Sequence, residues 1–250
     1  MPIVDIKGVK INVEGEIEAN RPAIIAVHGA GGGAWLWRKL RDALADKASL
    51  LAVDLPGHGD SEGEGASSVA EYSETVREIS KNLSLEKPFV MGHSMGGAVA
   101  MDWAVKHPEE PGGLLLVATG ARLRVLEAIL DSILRDYDGY IEGQLRMAFA
   151  SPPAEDVAEM LRQGSKKVDP RVAHTDFKAC DAFDLMEDIP KINAKTLVLC
   201  GDKDIMTPPK YGQFLAKNIP GAKLATIENS GHMIPLEKPV EAAAAIASML

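Results

Sequence analysis

"PFVMGHSMGGAVAMDWAV" (88–105) is the stretch whose reading decides the fold of this chain. An apolar, strand-like run from Phe89 to Met91 enters Gly92-His93-Ser94-Met95-Gly96. A small-residue stretch of helical character leaves it and stops at Pro108. The pattern Gly-x-Ser-x-Gly is weak evidence by itself. Between a strand and a helix it describes a sharp turn with the serine at its tip, in a strained backbone conformation. Flanking glycines are needed there because a Cβ would clash with the neighbouring strand and helix. Ser94 then opens a helix, whose N-terminal dipole favours developing negative charge.

The rest of the chain repeats this strand-then-helix rhythm. "AIIAVHG" (23–29), "LLAVDLPG" (50–57), "LLLVATG" (114–120) and "TLVLCG" (196–201) are short, continuously apolar runs that each end in glycine. Strands apolar on both faces belong to a parallel sheet covered by helices. Helical stripes lie between them. Leu36, Leu40 and Leu44 fall four apart within 34–47. Val69, Tyr72, Val76, Ile79 and Leu83 share a face within 68–83. "LEKPVEAAAAIASML" (236–250) reads as a closing helix. Only the opening segment alternates, with Val9, Ile11 and Val13 on one face, and it reads as an antiparallel hairpin. The expectation is a doubly wound α/β sheet with antiparallel N-terminal strands.

One segment breaks the rhythm. From Ala121 to Pro190 no strand-like run occurs. Leu123, Leu126, Leu130, Ile133, Leu134 and Tyr137 fit one helical stripe. Further helices are expected over Tyr140–Ala150, Ala154–Gln163 and Val172–Asp184. The length favours a helical element with its own task, a lid over a site at the carboxyl edge of the sheet. Tyr137, Phe149, Phe177 and Phe183 would give it an apolar underside, with at least half of them packing it to the body. The division is then 1–120 with 191–250 as the core, and 121–190 as the insertion.

Composition bounds the function classes. The chain has 250 residues and a formal net charge of −9, with the cations scattered. An acidic chain without a basic stripe does not attract nucleic acid or an anionic membrane. No apolar run approaches the roughly 20 residues that span a bilayer. The N-terminus shows no basic segment followed by an apolar one, so no secretion signal is expected. Cys180 and Cys200 read as two unlinked buried thiols, which suit a reducing, cytoplasmic setting.

A serine hydroxyl needs a base in order to react near neutral pH. The six histidines are His28, His58, His93, His107, His174 and His232. His232 stands out. It follows the strand-like "KLATIE" (223–228) on a glycine-bearing loop before the last helix. His93 adjoins Ser94, but on this turn its side chain is expected to point away. His107 ends a helix, and His174 lies in the insertion. The base in turn needs an acid that fixes its tautomer. "GDKDIMTP" (201–208) offers Asp202 and Asp204. Asp204 is favoured because it lies further into the loop and can reach across to His232.

With Ser94, Asp204 and His232 in that chain order, the sequence resembles the α/β-hydrolase family over nearly its whole length. The resemblance is carried by "HGAGGGAW" (28–35), "DLPGHGDS" (54–61), "GHSMGG" (92–97), "GDKDIMTP" (201–208) and "SGHMIPLEKP" (230–239), in family order and spacing. The resemblance implies an α/β-hydrolase fold with a helical cap insertion after "LLLVATG". It implies an oxyanion hole made by the backbone N–H groups of Ala30 and Met95. It implies that Asp54 ties loops together rather than doing chemistry. Trp35 and Trp37 are read as helix-face packing, with one of them able to line an acyl pocket.

Departures from related branches narrow the expectation. Ser94 stands where haloalkane dehalogenases and epoxide hydrolases carry an aspartate. The His-Gly-Gly-Gly and Gly-Asp-Ser-Ala-Gly of the hormone-sensitive-lipase branch are absent. Met233 stands where carbon–carbon hydrolases often carry tryptophan, and Ala30 where perhydrolases carry an aromatic residue. What is left is a small carboxylesterase acting on short to medium acyl chains, with no metal or organic cofactor, as a monomer or homodimer. Thioesters, lactones and carbon–carbon bonds need the same machinery and stay open, as do a perhydrolase and a slow-turnover ligand receptor of this fold.

Overall fold

A computed structural model describes residues 3–250. Eight strands form one sheet in the order β1-β2-β4-β3-β5-β6-β7-β8. They are β1 Ile3–Ile6, β2 Val9–Glu14, β3 Ala23–Val27, β4 Ser49–Val53, β5 Phe89–His93, β6 Gly113–Val117, β7 Lys195–Gly201 and β8 Lys223–Ile227. β1 pairs antiparallel with β2, and β2 antiparallel with β4. Every pairing from β4 to β8 is parallel. The sequence expectation of a mostly parallel sheet with antiparallel N-terminal strands is met.

Alternation along each strand splits the core into two layers. Ile25, Val27, Val90, Leu114, Leu116 and Val198 face one way. They pack against α2 (Val69–Asn82) and α3 (Met95–Lys106). Ile24, Ala26, Met91, Leu115, Leu197 and Leu199 face the other way. They meet Leu40 and Leu44 of α1 (Arg38–Leu44) and the C-terminal helices, α9 (Ile234–Glu237) and α10 (Pro239–Ala247). The helix expected over 34–47 is divided: Ala34–Trp37 form a 3-10 turn before α1 begins. Ser68 caps α2 by accepting from the Glu71 N–H, the cap expected of a serine before a helical stripe. α8 (Pro209–Asn218), between β7 and β8, carries the chain back across the sheet.

Residues 121–190 form four helices: α4 Glu127–Arg135, α5 Tyr137–Met147, α6 Glu155–Ser165 and α7 Pro170–Ala182. The single stripe from Leu123 to Tyr137 does not make one helix. Asp136 accepts from the Gly139 N–H at 2.9 Å and so caps a new helix, and Tyr137 becomes the first residue of α5. Leu126 and Leu134, within the stripe, are exposed, whereas Leu123 at its start is buried. Of the four aromatics expected beneath this segment, Phe149 and Phe183 are buried in the layers beside the sheet, and Phe177 lines a cavity at Ser94. Ile141, Leu145 and Leu161 of α5 and α6 join the same apolar layer as Met91 and Leu115, so the insertion shares the core of the body.

The parallel strands end in register. Val27 pairs with Gly92, His93 with Val117, Val117 with Leu199, and Gly201 with Ile227. Loops after β3, β5, β7 and β8 therefore open on one edge of the sheet, where open α/β sheets place ligands. At that edge β5 turns into α3 with almost no clearance. A Cβ on Gly92 would lie 2.0 Å from the Gly96 carbonyl oxygen, and one on Gly96 would lie 2.1 Å from the Val27 carbonyl oxygen. Two histidines at this edge are buried and held neutral. Burial, then the neighbouring His58, lowers His28 to about 4. Burial, then the neighbouring His232, lowers His93 to about 3.

Two outcomes follow for unfolding in urea. Gly96→Ala forces backbone apart and lowers stability by about 1–3 kcal/mol or more. Gly143→Ala, inside α5 with open space around it, raises stability by about 0.5–1 kcal/mol. The unfolded chain takes up protons at histidine below about pH 6.5 while His28 and His93 stay neutral in the fold, so stability falls as pH is lowered from 6.5 toward 4. His93→Gln removes up to one proton from that dependence, about 1.4 kcal/mol per pH unit. An unchanged slope contradicts the neutral, buried state of His93.

Candidate active site

Ser94 sits at the junction of β5 and α3 with φ +53° and ψ −116°, the left-handed region that non-glycine residues rarely adopt. Hydrogen bonds on both sides hold it there. Its N–H donates to the Val117 carbonyl at 3.0 Å, and its own carbonyl accepts from Thr119 Oγ1 at 2.7 Å. Its hydroxyl makes no hydrogen bond among the described residues, and Ser94 shares a cavity wall with His232.

His232 and Asp204 meet from the loops after β8 and β7. Asp204 Oδ2 lies 2.8 Å from His232 Nδ1. Oδ1 accepts from the Met206 and Thr207 N–H groups at 2.8 and 2.9 Å, and Thr207 Oγ1 donates to Oδ2 at 2.7 Å. Burial by itself pushes the Asp204 carboxyl up. His232 and the donors from Thr207 outweigh this and hold it below the usual carboxylate range. An ionised Asp204 facing Nδ1 requires Nδ1 to carry the proton, which leaves Nε2 with the free lone pair. Asp202 turns elsewhere: it accepts from the Ser230 N–H at 3.3 Å and pairs with Lys203. The Asp-x-x-Thr of "DIMT" (204–207) is the signal that separates the two, since a carboxylate answered by N–H groups two and three residues on builds a tight turn.

His93 does not address Ser94. Its Nε2 lies 2.9 Å from the His232 carbonyl oxygen, so Nε2 carries the proton and donates. The insertion also reaches this loop. The Ala148 carbonyl, at the end of α5, accepts from both the His232 and Met233 N–H groups, at 2.7 and 3.1 Å. Glu237 accepts from the Gly231 and Ala150 N–H groups at 2.9 and 2.8 Å. Of these supports, His93 and Glu237 fall within the stretches 92–97 and 230–239, while the Ala148 carbonyl comes from a helical segment with no motif.

Opposite Ser94 runs the Gly29–Gly32 loop. The Gly32 N–H donates to the Gly29 carbonyl, and the Gly31 N–H donates to Asp176 Oδ2 of α7. The Ala30 N–H, one residue before Gly31, is bonded to nothing among the described residues. Met95 is the first residue of α3, where a backbone N–H has no intrahelical acceptor. Asp54 ties loops together, accepting from Asn12 Nδ2 and from the Ala34 and Asp60 N–H groups. Trp37 is fully buried, and Trp35 lines the cavity. His107 pairs with Glu74 at the surface of α2 and α3, and His174 is half-buried on α7.

Two cavities open at Ser94. One of about 50 Å³ lies over the Gly29–Gly32 loop and is bounded by Trp35, Leu36 and Gln144. The other, of about 350 Å³, runs past Val125, Phe177 and Tyr211 toward exposed Leu126 and Ile205. Among the described residues no group of three or more His, Cys, Asp or Glu side chains is placed to hold a metal ion. No helix there is long and apolar enough to cross a membrane.

Comparison with known proteins agrees with this architecture. A pimeloyl-[acyl-carrier protein] methyl ester esterase of Neisseria meningitidis is 26% identical over 238 residues, covering 89% of this chain and 91% of its own. A solved thermophilic esterase is 36% identical with a TM-score of 0.87, over 99% of this chain and 95% of its own. The enol-lactonase of Burkholderia xenovorans LB400 superposes with a TM-score of 0.91 at 22% identity, over 99% of each chain, a likeness of fold. The family model described as the alpha/beta hydrolase family matches residues 24–246. The chain belongs to the alpha/beta hydrolase family.

Proposed function

We propose that this protein is a serine hydrolase of carboxylic esters with short to medium acyl chains. The observation that carries the reading is the 2.8 Å contact between ionised Asp204 and His232 Nδ1, on the cavity wall that also holds Ser94. In this reading His232 Nε2 takes the Ser94 proton as Oγ attacks the ester carbonyl. The imidazolium that forms is stabilised by Asp204. The Ala30 and Met95 N–H groups receive the oxyanion, and a donor of this kind contributes on the order of 3 kcal/mol in the transition state. His232 then protonates the leaving alcohol and later activates water to release the acyl group. Ser94 Oγ and His232 draw together once substrate fills the site, as catalytic hydrogen bonds often tighten only then.

The ester as the bond cleaved is supported by the names of the meningococcal relative and the thermophilic esterase. The small cavity of about 50 Å³ over the Gly29–Gly32 loop suits a short acyl chain. Residues 121–190 act as a cap over the site, with Phe177 against both cavities. Thioesters and lactones place the same demand on Ser94 and belong in the same substrate panel.

Turnover of p-nitrophenyl esters of rising chain length, beside acyl-thioesters and lactones, tests the reading. Wild type hydrolyses the short and medium esters, and Ser94→Ala loses activity by on the order of 10⁴–10⁶-fold. Equal, slow hydrolysis by both proteins overturns it. Asp204→Asn loses activity on the order of 10³–10⁴-fold, whereas Asp202→Asn stays within about threefold. The reverse pattern overturns the Asp204 assignment.

A further inference from the structure

A second buried His–Asp pair adjoins the Gly29–Gly32 loop. Asp176 of α7 and His58, on the loop after β4, are both fully buried. His58 Nε2 is 2.8 Å from Asp176 Oδ2, and His58 Nδ1 is 3.0 Å from the Pro56 carbonyl. Both ring nitrogens face acceptors, so both carry protons and the ring is an imidazolium. Burial by itself pulls the His58 pKa down, and the Asp176 charge outweighs this and raises it. Asp176 Oδ1 accepts from the Tyr72 hydroxyl at 2.6 Å. The remaining donor is the Gly31 N–H, at 2.9 Å from Oδ2.

That last bond joins the insertion to the reaction centre. Gly31 has φ +63° and follows Ala30 directly. The plane of the Ala30–Gly31 peptide is fixed by whatever holds the Gly31 N–H, and the Ala30 N–H lies one residue away on the same tight loop. The other restraints on the loop are internal or come from the body: the Gly32 N–H to the Gly29 carbonyl, His28 Nδ1 to the same carbonyl, and His28 Nε2 accepting from the Leu55 N–H. Asp176 is the side chain from outside the body that grips the loop. An ionised acceptor on a backbone N–H is a strong bond in a buried setting. Three donors converge on one carboxylate in a place with no solvent to replace it, so its loss leaves each of them unsatisfied.

We propose that Asp176 is a positioning residue supplied by the insertion, which holds the Gly29–Gly32 loop so that the Ala30 N–H faces the oxyanion formed at Ser94. This rests on the ester-hydrolase reading given above. Asp176 touches no reacting atom and acts through Gly31 and Ala30. Displacing a donor by about 1 Å costs rate in the transition state while leaving ground-state binding little changed.

The test compares Asp176→Ala and Asp176→Leu with Asp176→Asn and Tyr72→Phe. Asn keeps an oxygen for Gly31 and His58 and turns an N–H toward the Tyr72 hydroxyl. Tyr72→Phe removes one partner of Asp176 and leaves the Gly31 bond. The Ala and Leu variants are expected to lower kcat on the order of 10²-fold with KM within about threefold. They weaken binding of a trifluoromethyl ketone, which forms an oxyanion on Ser94, by a similar factor. Hydrogen exchange at the Gly31 amide speeds up in both. Asn and Tyr72→Phe remain within about threefold of wild type in kcat and ketone affinity, although Tyr72→Phe is less stable. The proposal is overturned if folded Asp176→Ala or Asp176→Leu keeps wild-type kcat and ketone affinity. It is also overturned if Tyr72→Phe loses both to the same extent, since the cluster is then merely structural. Failure of the ester reading looks different: wild type neither turns over esters nor binds the ketone, while Gly31 exchange still reports whether Asp176 holds the loop.

Discussion

The turn at Ser94 is the constraint on which the rest of the structure depends. A residue with a side chain is held at positive φ, a conformation that costs on the order of 1–3 kcal/mol. It persists because its surroundings leave no alternative. β5 is pinned between β3 and β6, and α3 leaves immediately, with Gly92 and Gly96 in backbone-to-backbone approach. Ser94 lines both cavities at the sheet edge, and α3 begins at the next residue, Met95. The other site residues come from neighbouring strand ends because the parallel register brings those ends to one level. A parallel sheet makes one edge rich in loop starts, and the turn selects which of them face the serine.

The helices of residues 121–190 are tied to the loops at that edge. The end of α5 gives its Ala148 carbonyl to the backbone of His232, and α7 gives Asp176 to the backbone of Gly31. These contacts reach two different loops of the cavity wall that Ser94 shares. Ile141, Leu145 and Leu161 lie in the apolar layer of the body, so the segment is packed as well as hydrogen-bonded. A rigid swing of all four helices away from the sheet breaks buried bonds at both loops. The exposed apolar residues near the larger cavity, Leu126 and Ile205, mark where that cavity opens to solvent.

Much of this was legible in the sequence because its causes are local. Runs apolar on both faces gave the parallel strands, and the glycines around Ser94 announced a turn without room for side chains. Ser94, Asp204 and His232 lie in short segments whose loop positions follow from the strands before them. The preference for Asp204 over Asp202 agrees with the contact to His232. What was not legible depends on long-range placement. Asp176 sits in a helical pattern with no motif, and its role is set by His58, Tyr72 and Gly31, all more than 100 residues away in sequence. His93 was set aside as a partner of Ser94, yet it supports the His232 backbone from the other side, a contact that exists only once β8 lies in place. The continuous stripe from Leu123 to Tyr137 misled because a single capping carboxylate, Asp136, divided it into two helices.

The central claim is that the strained turn presents Ser94, and no other serine, as a nucleophile activated through His232. Covalent labelling with a fluorophosphonate, followed by mass-spectrometric mapping of the modified peptide, tests it most directly. The account predicts one adduct per chain, on Ser94 within the 88–105 stretch, with labelling slowed by orders of magnitude in His232→Gln. An adduct on a different serine, or equal labelling rates in wild type and His232→Gln, would contradict it.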